Sequence, residues 1–324
     1  MANDLFQQFQ RIDGLLKNAR RVLVASHQNP DPDAVSSVLV LHYIFKKENL
    51  ESLPFLPDLP PKNLSFLPGF FEIKNEIGSF QPDVLLGLDY GDFKRLRIPE
   101  DILNRLSLNI ITIDHHLESD QRGEVKILDP EFSSTSEIIY HWLKYKNIEI
   151  DKEIATCLLT GIFSDSGGFC HVATSARTLN IVSELLLKGV SLNKIAAQTL
   201  LFQKSLNISR AWGQILCRVQ LNEETGLAYS WVTADDFVDF GLSLADFDGI
   251  ANLVSTGSPF NLGLFLVEYE RGKIKGSLRS ELQSEKNAVK IAKALGGGGH
   301  PYAAGFMQEG TVEEILKKVL KLIE

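Results

Sequence analysis

Four short clusters of acids and imidazoles punctuate the first half of this 324-residue chain, and each follows an apolar run. RVLVAS (21–26) leads into His27, Asp31 and Asp33. DVLLGL (83–88) leads into Asp89, with Asp92 just beyond. LNIITI (108–113) leads into Asp114-His115-His116, and the apolar segment 154–163 leads into Asp165, which is followed by Ser-Gly-Gly. Carboxylates gathered at one place raise one another's pKa unless cations neutralise them. A pair of divalent metal ions resolves that conflict. Mixed imidazole and carboxylate donors suit manganese, with zinc, iron or cobalt as competitors; magnesium prefers oxygen ligands and retained water. Two such ions roughly 3.5–4 Å apart activate water and clamp phosphoryl oxygens during in-line displacement. The chemistry indicated is metal-assisted hydrolysis of a phosphate ester.

Each cluster taken singly has a plainer explanation. Asp33 could be the N-cap of the helix that follows it, and Asp31, between two prolines, a turn acid. Asp89 and Asp114 could be polar residues that end strands, and Asp165 a loop acid. What favours a shared site is that four independent clusters terminate successive segments. In an open parallel sheet, ligands sit in the crevice beyond the carboxyl ends of the strands. His42 and His141 fall inside helical patterns and are assigned to packing or solvent; His171 lies near Asp165.

The elements needed to position these residues are legible as periodicity. Strands are expected at 21–26, 53–56, 83–89, 108–114 and 125–128, and helices at 33–47, 134–146, 151–163 and 175–188. Strands alternating with helices imply an α/β fold, a mainly parallel sheet with helices on both faces. Residues 1–190 form this first domain, and 191–216 read as a helical linker. Residues 217–324 form a smaller mixed α/β domain with strand-like runs CRVQL, LAYSWV, LGLFLVEY and KIKGSLR and helices near 287–295 and 311–323.

A glycine run, Gly296–Gly299, precedes His300. One glycine after a helix is an ordinary cap; four carry a large entropic cost, and a loop whose bare amides cradle an anion is one return on it. Arg279 ends a strand nearby and offers a fork geometry for phosphate, although a surface strand residue would look the same.

Composition bounds the partners. Forty-one acidic residues against 33 basic ones give a net charge of −8, too little excess cation to grip a long duplex, whose binding draws on phosphate neutralisation. A short oligomer held at one pocket suits the chain better. No apolar run approaches the roughly 20 residues that span a bilayer, the polar N-terminus does not read as a secretion signal, and three scattered cysteines fit neither a disulfide framework nor a zinc knuckle. A cytoplasmic protein without membrane attachment is expected.

Together these residues resemble the DHH family of phosphoesterases, in the subfamily with a DHH-associated C-terminal domain. His27-x-x-Pro30-Asp31-x-Asp33-Ala34 resembles the first motif, Asp89 the second, Asp114-His115-His116 the third and Asp165 the fourth. Gly297-Gly298-Gly299-His300-x-x-Ala303-Ala304-Gly305 resembles the signature of the associated domain. Size and layout are similar to nanoRNase/pAp-phosphatase proteins, which degrade very short RNAs and dephosphorylate 3′-phosphoadenosine-5′-phosphate (pAp). The resemblance implies that His27, Asp31 and Asp89 bind one metal, that Asp33, Asp89, His115 and Asp165 bind another, and that Asp89 bridges them. It gives Asp114 the role of orienting a ligand imidazole and His116 that of stabiliser or proton donor at the scissile phosphate. Arg279, Gly297, Gly298, Gly299 and His300 would hold a terminal phosphate or neighbouring nucleotide. A homodimer is implied as well. The stretch after Asp165, Gly167-Gly-Phe-Cys-His171, matches the family's aromatic-bearing sequence only loosely, which leaves base preference open. Competing functions are a phosphodiesterase for cyclic dinucleotides or their linear products and a non-enzymatic nucleotide sensor; a complete ligand set disfavours the sensor.

Overall fold

A computed structural model describes residues 2–105, 107–116, 122–199, 206–247, 249–259, 262–280, 287–300 and 302–323. The chain divides into two units, Met1–Gln203 and Lys204–Glu324.

The first unit is built on five strands: β1 (Arg21–Ala25), β2 (Glu51–Phe55), β3 (Val84–Leu88), β4 (Asn109–Asp114) and β5 (Val125–Leu128). All neighbouring pairs run parallel in the order β2-β1-β3-β4-β5. The innermost strands are nearly continuous runs of valine, leucine and isoleucine because a covered parallel sheet buries both faces of each strand; every residue of β3 is buried. Among the described residues seven helices belong to this unit: α1 (Ala2–Leu16), α2 (Pro32–Lys47), α3 (Glu100–Leu103), α4 (Thr135–Tyr145), α5 (Lys152–Asp165), α6 (Ala176–Leu186) and α7 (Leu192–Thr199). Phe9, Val38, Phe45, Trp142 and Leu158 from this set pack with Val22, Val24, Leu86 and Ile111 in the larger core. The opposite sheet face is covered more thinly. There Leu23, Leu85 and Phe55 meet Tyr90 from the loop after β3, Phe93 and Leu96 from a 3-10 turn, and Ile102 from the single turn of α3.

Strand order 2-1-3-4-5 reverses direction between β1 and β3. That reversal opens a crevice at the carboxyl ends of those two strands, the place where such sheets receive ligands.

The second unit contains α8 (Leu206–Cys217), β6 (Gln220–Asn222), β7 (Leu227–Val232), α9 (Ala234–Phe240), α10 (Ile250–Ser255), β8 (Gly263–Glu270), β9 (Lys273–Arg279), α11 (Ala288–Ala294), β10 (Gly298–His300), β11 (Ala303–Glu309) and α12 (Val312–Ile323). Its sheet runs β10-β11-β9-β8-β7-β6, antiparallel except for β7 beside β8. A parallel pair needs a crossover, and α9 and α10 supply it. Neither helix was expected from periodicity, although Thr233 and Asp236 form a capping box and Gly241 (φ +62°) ends α9. The stretch read as a connector serves both units: Ile195 of α7 joins the first core, while the Ile215 carbonyl of α8 accepts from Ser230 Oγ at 2.7 Å in the second.

Among the described residues no helix is long and apolar enough to cross a membrane.

Candidate active site

Three strand ends and two helix ends deliver the acids and imidazoles. His27 lies two residues beyond β1, Asp89 directly follows β3, and Asp114 is the last residue of β4, with His115 and His116 after it. Asp165 is the last residue of α5. Asp31, not Asp33, is the N-cap of α2: its Oδ1 accepts from Ala34 N at 3.0 Å, and Pro32 occupies the first turn, where a missing N–H costs nothing. Asp33 is thereby freed from capping and faces inward, 1% exposed. Asp89 sits at φ +52°, a left-handed conformation that aspartate tolerates better than most residues but that still stores strain.

These side chains converge. His27, Asp31 and Asp89 offer ligand atoms within 4.8 Å of one another, as do Asp33, His115 and Asp165, and Asp89, His115 and His116. His115 Nε2 lies 2.9 Å from Asp165 Oδ2 and 3.5 Å from Asp89 Oδ1; His27 Nε2 lies 3.6 Å from Asp31 Oδ2. His27 Nδ1 is 2.7 Å from the Gln28 carbonyl and 2.9 Å from Arg95 Nη2. A carbonyl only accepts and a guanidinium only donates, so the two contacts require opposite tautomers. The shorter one leaves the Nε2 lone pair facing Asp31 and Asp89, the tautomer a metal ligand needs.

Asp114 is committed elsewhere. One oxygen accepts from the backbone N–H of His116 (3.0 Å) and from its ring Nδ1 (2.6 Å), the other from Tyr90 N (3.2 Å) and Gly91 N (2.8 Å). The imidazole it orients is His116, rather than the His115 ring that stands among the other acids. With Nδ1–H donated to Asp114, any proton His116 delivers leaves from Nε2.

Electrostatics explain why such a cluster calls for cations. Burial raises the Asp33 carboxyl, the Asp165 charge adds to this, and together they bring it to about 7. Asp89 is driven well above the ordinary range by burial and then by Asp33, Asp31, Asp114 and Asp165. Burial disfavours a charged His115, but Asp165 and Asp33 outweigh it and push the imidazole up to about 9. Without metal, then, protons do the neutralising. Asp114 is opposite in sense: burial is overcome by the His116 ring and the amides it accepts from, and it is held at about 2. This donor set, in which Asp33 and Asp89 are protonated by burial among other acids and His115 by its anionic neighbours, fits divalent cations.

A pH dependence follows. Asp33 and His115 have folded pKa values above their unfolded ones, so their contribution to stability is present at low pH. It is lost as pH rises through about 4–7 for Asp33 and about 6.5–9 for His115. Divalent ions replace those protons. The melting-temperature gap between manganese-loaded and EDTA-treated protein is expected to be wider at pH 8.5 than at pH 5.5; calorimetry showing an equal or narrower gap contradicts this.

Sequence reading missed the frame around the acids. The first turn of α4 holds two of them: Thr135 N and Ser136 N donate to the two oxygens of Asp33 at 2.7 and 3.1 Å, and Thr135 Oγ1 donates to Asp89 Oδ1 at 3.1 Å. Opposite that turn lies Gly161 of α5. A Cβ there would stand 2.4 Å from Asp33 Oδ1 and 2.1 Å from Ser136 Oγ, so glycine is required by close approach. Gly161→Ala is expected to cost about 1–3 kcal/mol of stability through overpacking and to weaken manganese binding; unchanged unfolding and unchanged titration would contradict it.

The second unit carries the remaining predicted residues. Arg279 ends β9, with Nε donating to Asn252 Oδ1 of α10 at 2.5 Å and Nη1 to the Leu278 carbonyl. The glycine run is not the open loop expected. Gly298, Gly299 and His300 form β10, the outer strand paired with Gly305, Ala304 and Ala303 of β11. The glycines have a packing reason: a Cβ on Gly297 would stand 2.1 Å from the Gly305 carbonyl oxygen, and Gly299 adopts φ +139°. Gly298 alone among these three has open space where a Cβ would be. Ala303 pairs with both His300 and Arg279, so those two positions lie on one transverse row of the sheet.

Comparison with known proteins agrees with this architecture. Residues 21–162 match the N-terminal domain of the DHH family and residues 225–324 match the DHHA1 domain. A bifunctional oligoribonuclease and PAP phosphatase NrnA of Thermus thermophilus is 31% identical over 93% of this chain and 89% of its own length. The protein of that name from Bacillus subtilis is 26% identical over 88% of each chain. The crystal structure of an exopolyphosphatase-related protein from Bacteroides fragilis superimposes with a TM-score of 0.88, 27% identity, and coverage of 98% of this chain and 95% of that one. With His/Asp clusters at the ends of β1, β3 and β4, a DHH domain and a DHHA1 domain, this chain belongs to the DHH family of metal-dependent phosphoesterases.

Proposed function

We propose that the protein hydrolyses phosphate esters in very short oligoribonucleotides and in pAp, using two divalent cations, manganese for preference. The observation that carries this reading is Asp89, whose carboxylate is common to the His27–Asp31 group and the His115–His116 group while Asp33, His115 and Asp165 gather beside it. One shared acid between two sets of donors is the arrangement that holds paired ions. When bound, such a pair supplies Lewis acidity and lowers the pKa of water at the site. His27, Asp31, Asp33, Asp89, His115 and Asp165 bind and space the cations. Asp114 fixes the His116 ring, and His116 moves a proton from Nε2 toward the leaving oxygen. Arg279, Gly297–Gly299 and His300 bind a phosphate of the substrate, Arg279 being steadied by Asn252. The substrate class is supported by the relatives' names, which are those of oligoribonucleases and PAP phosphatases, and by the acidic composition, which does not suit long duplexes.

The test is a substrate panel with purified protein and manganese: pAp, diribonucleotides, a long single-stranded RNA and cyclic di-AMP. Rapid turnover of pAp and dinucleotides is expected. Turnover of the long RNA with none of the dinucleotide would overturn the reading; preference for cyclic di-AMP would reassign the substrate to the cyclic class.

A further inference from the structure

The two carboxylates held by the start of α4 stand 46 and 102 residues away from Thr135 in the chain, and that single residue touches both. Thr135 is fully buried. Its backbone N–H donates to Asp33 and its hydroxyl to Asp89 Oδ1. Among the described residues this is the hydrogen bond that Asp89 accepts from a neutral side chain; its other close neighbours, His115 at 3.5 Å and His116 at 3.7 Å, are imidazoles. A carboxylate that must serve donor groups on two sides is sensitive to rotation about its last bond. A donor fixed on one oxygen removes that freedom.

The donor is itself fixed. Ser134 caps the helix by accepting from Glu137 N. Glu137 is a carboxylate with no exposed surface, and it accepts from Ser133 N at 3.0 Å, Ser133 Oγ at 2.6 Å, Thr178 Oγ1 at 3.0 Å and Arg177 Nε at 2.9 Å. Arg177 stacks over the Phe132 ring at 4.1 Å and reaches the Glu131 carbonyl. The guanidinium partner is solvent-exposed and Glu137 is buried, so the pair adds little stability on its own account; with the hydroxyl and amide donors it does hold the turn in one geometry. The positive end of an 11-residue helix also faces Asp33, where it favours the ionised acid.

We propose that Thr135 is a positioning residue, whose hydroxyl sets the orientation of the Asp89 carboxylate so that Asp89 serves both groups of donors at once. The inference rests on the metal-dependent reading above and adds to it a residue that touches neither substrate nor reacting atoms. Outer partners of metal ligands characteristically change metal affinity about 10–100-fold when lost.

Thr135→Val keeps the shape and the backbone N–H and removes only the hydroxyl; Thr135→Ser restores it. Manganese titration calorimetry and electron paramagnetic resonance of the loaded proteins separate a positioning role from a merely structural one. In Thr135→Val the weaker manganese step is expected to lose about 10–100-fold in affinity and the spin-coupled signal of a manganese pair to diminish. Thr135→Ser should return both to near the wild-type values. Wild-type affinity and signal in Thr135→Val would overturn the proposal, as would equal losses in the serine and valine variants. Wild-type protein that binds no manganese would instead overturn the metal-dependent function itself, so the wild-type arm distinguishes the two failures.

Discussion

Asp89→Asn is expected to lower turnover by at least about a thousandfold, a loss of roughly 4 kcal/mol of transition-state stabilisation, and to leave no more than one manganese bound per chain. Asparagine keeps the shape of the side chain and the φ +52° conformation, which it adopts as readily as aspartate, but cannot neutralise a cation. The same substitution should raise the melting temperature of the metal-free protein. Burial and four neighbouring acids disfavour the charged form of Asp89, and a neutral amide relieves that repulsion. Opposite signs for activity and metal-free stability mark a residue placed for function at the expense of the fold. Assays of turnover, metal content and thermal unfolding on one preparation check all three. Retained turnover with two ions bound would remove Asp89 as the shared ligand.

His116→Ala should reduce kcat about 10²–10⁴-fold, the range for losing a positioned proton donor, while manganese affinity changes only a few-fold. Asp114→Asn should reduce kcat as well, by a different route, and should also lower the melting temperature. The four N–H groups now directed at Asp114 would meet an amide that presents one acceptor and one donor, and each buried N–H left unmatched costs about 1–3 kcal/mol. The pair separates proton delivery from the scaffold that aims it. Equal melting temperatures in the two variants would contradict the claim that Asp114 holds the Tyr90–Gly91 turn together with the His116 ring.

The metal-ligating candidates were legible because β1, β3 and β4 are apolar runs that stop abruptly at an acid or imidazole, and strand ends are where an open parallel sheet meets its ligand. Sequence order alone could not distinguish Asp31 from Asp33 as the cap of α2. Either fits an Asx-x-x pattern, and the choice depends on Asp33 meeting the α4 amides about a hundred residues later. The same distance hid Thr135, Ser136 and Gly161. Ser133-Ser134-Thr135-Ser136 reads locally as a helix start, and Gly161 as a weak spot within a helix, until the two elements are laid side by side. Arg95, which reaches both His27 and the Tyr90 carbonyl, gave no signal at all among the other surface-type basic residues. The glycine run was misread as a loop for a complementary reason. Its residues lack strand propensity, and only the pairing with Ala303–Gly305 makes them a strand.

Anomalous diffraction at the manganese edge, from crystals grown with the metal, tests the central claim most directly. Two peaks are expected, one beside His27 and Asp31, the other beside Asp33, His115 and Asp165, with the Asp89 carboxylate between them. A structure in which this cluster shows no anomalous density while manganese-dependent hydrolysis persists would contradict it.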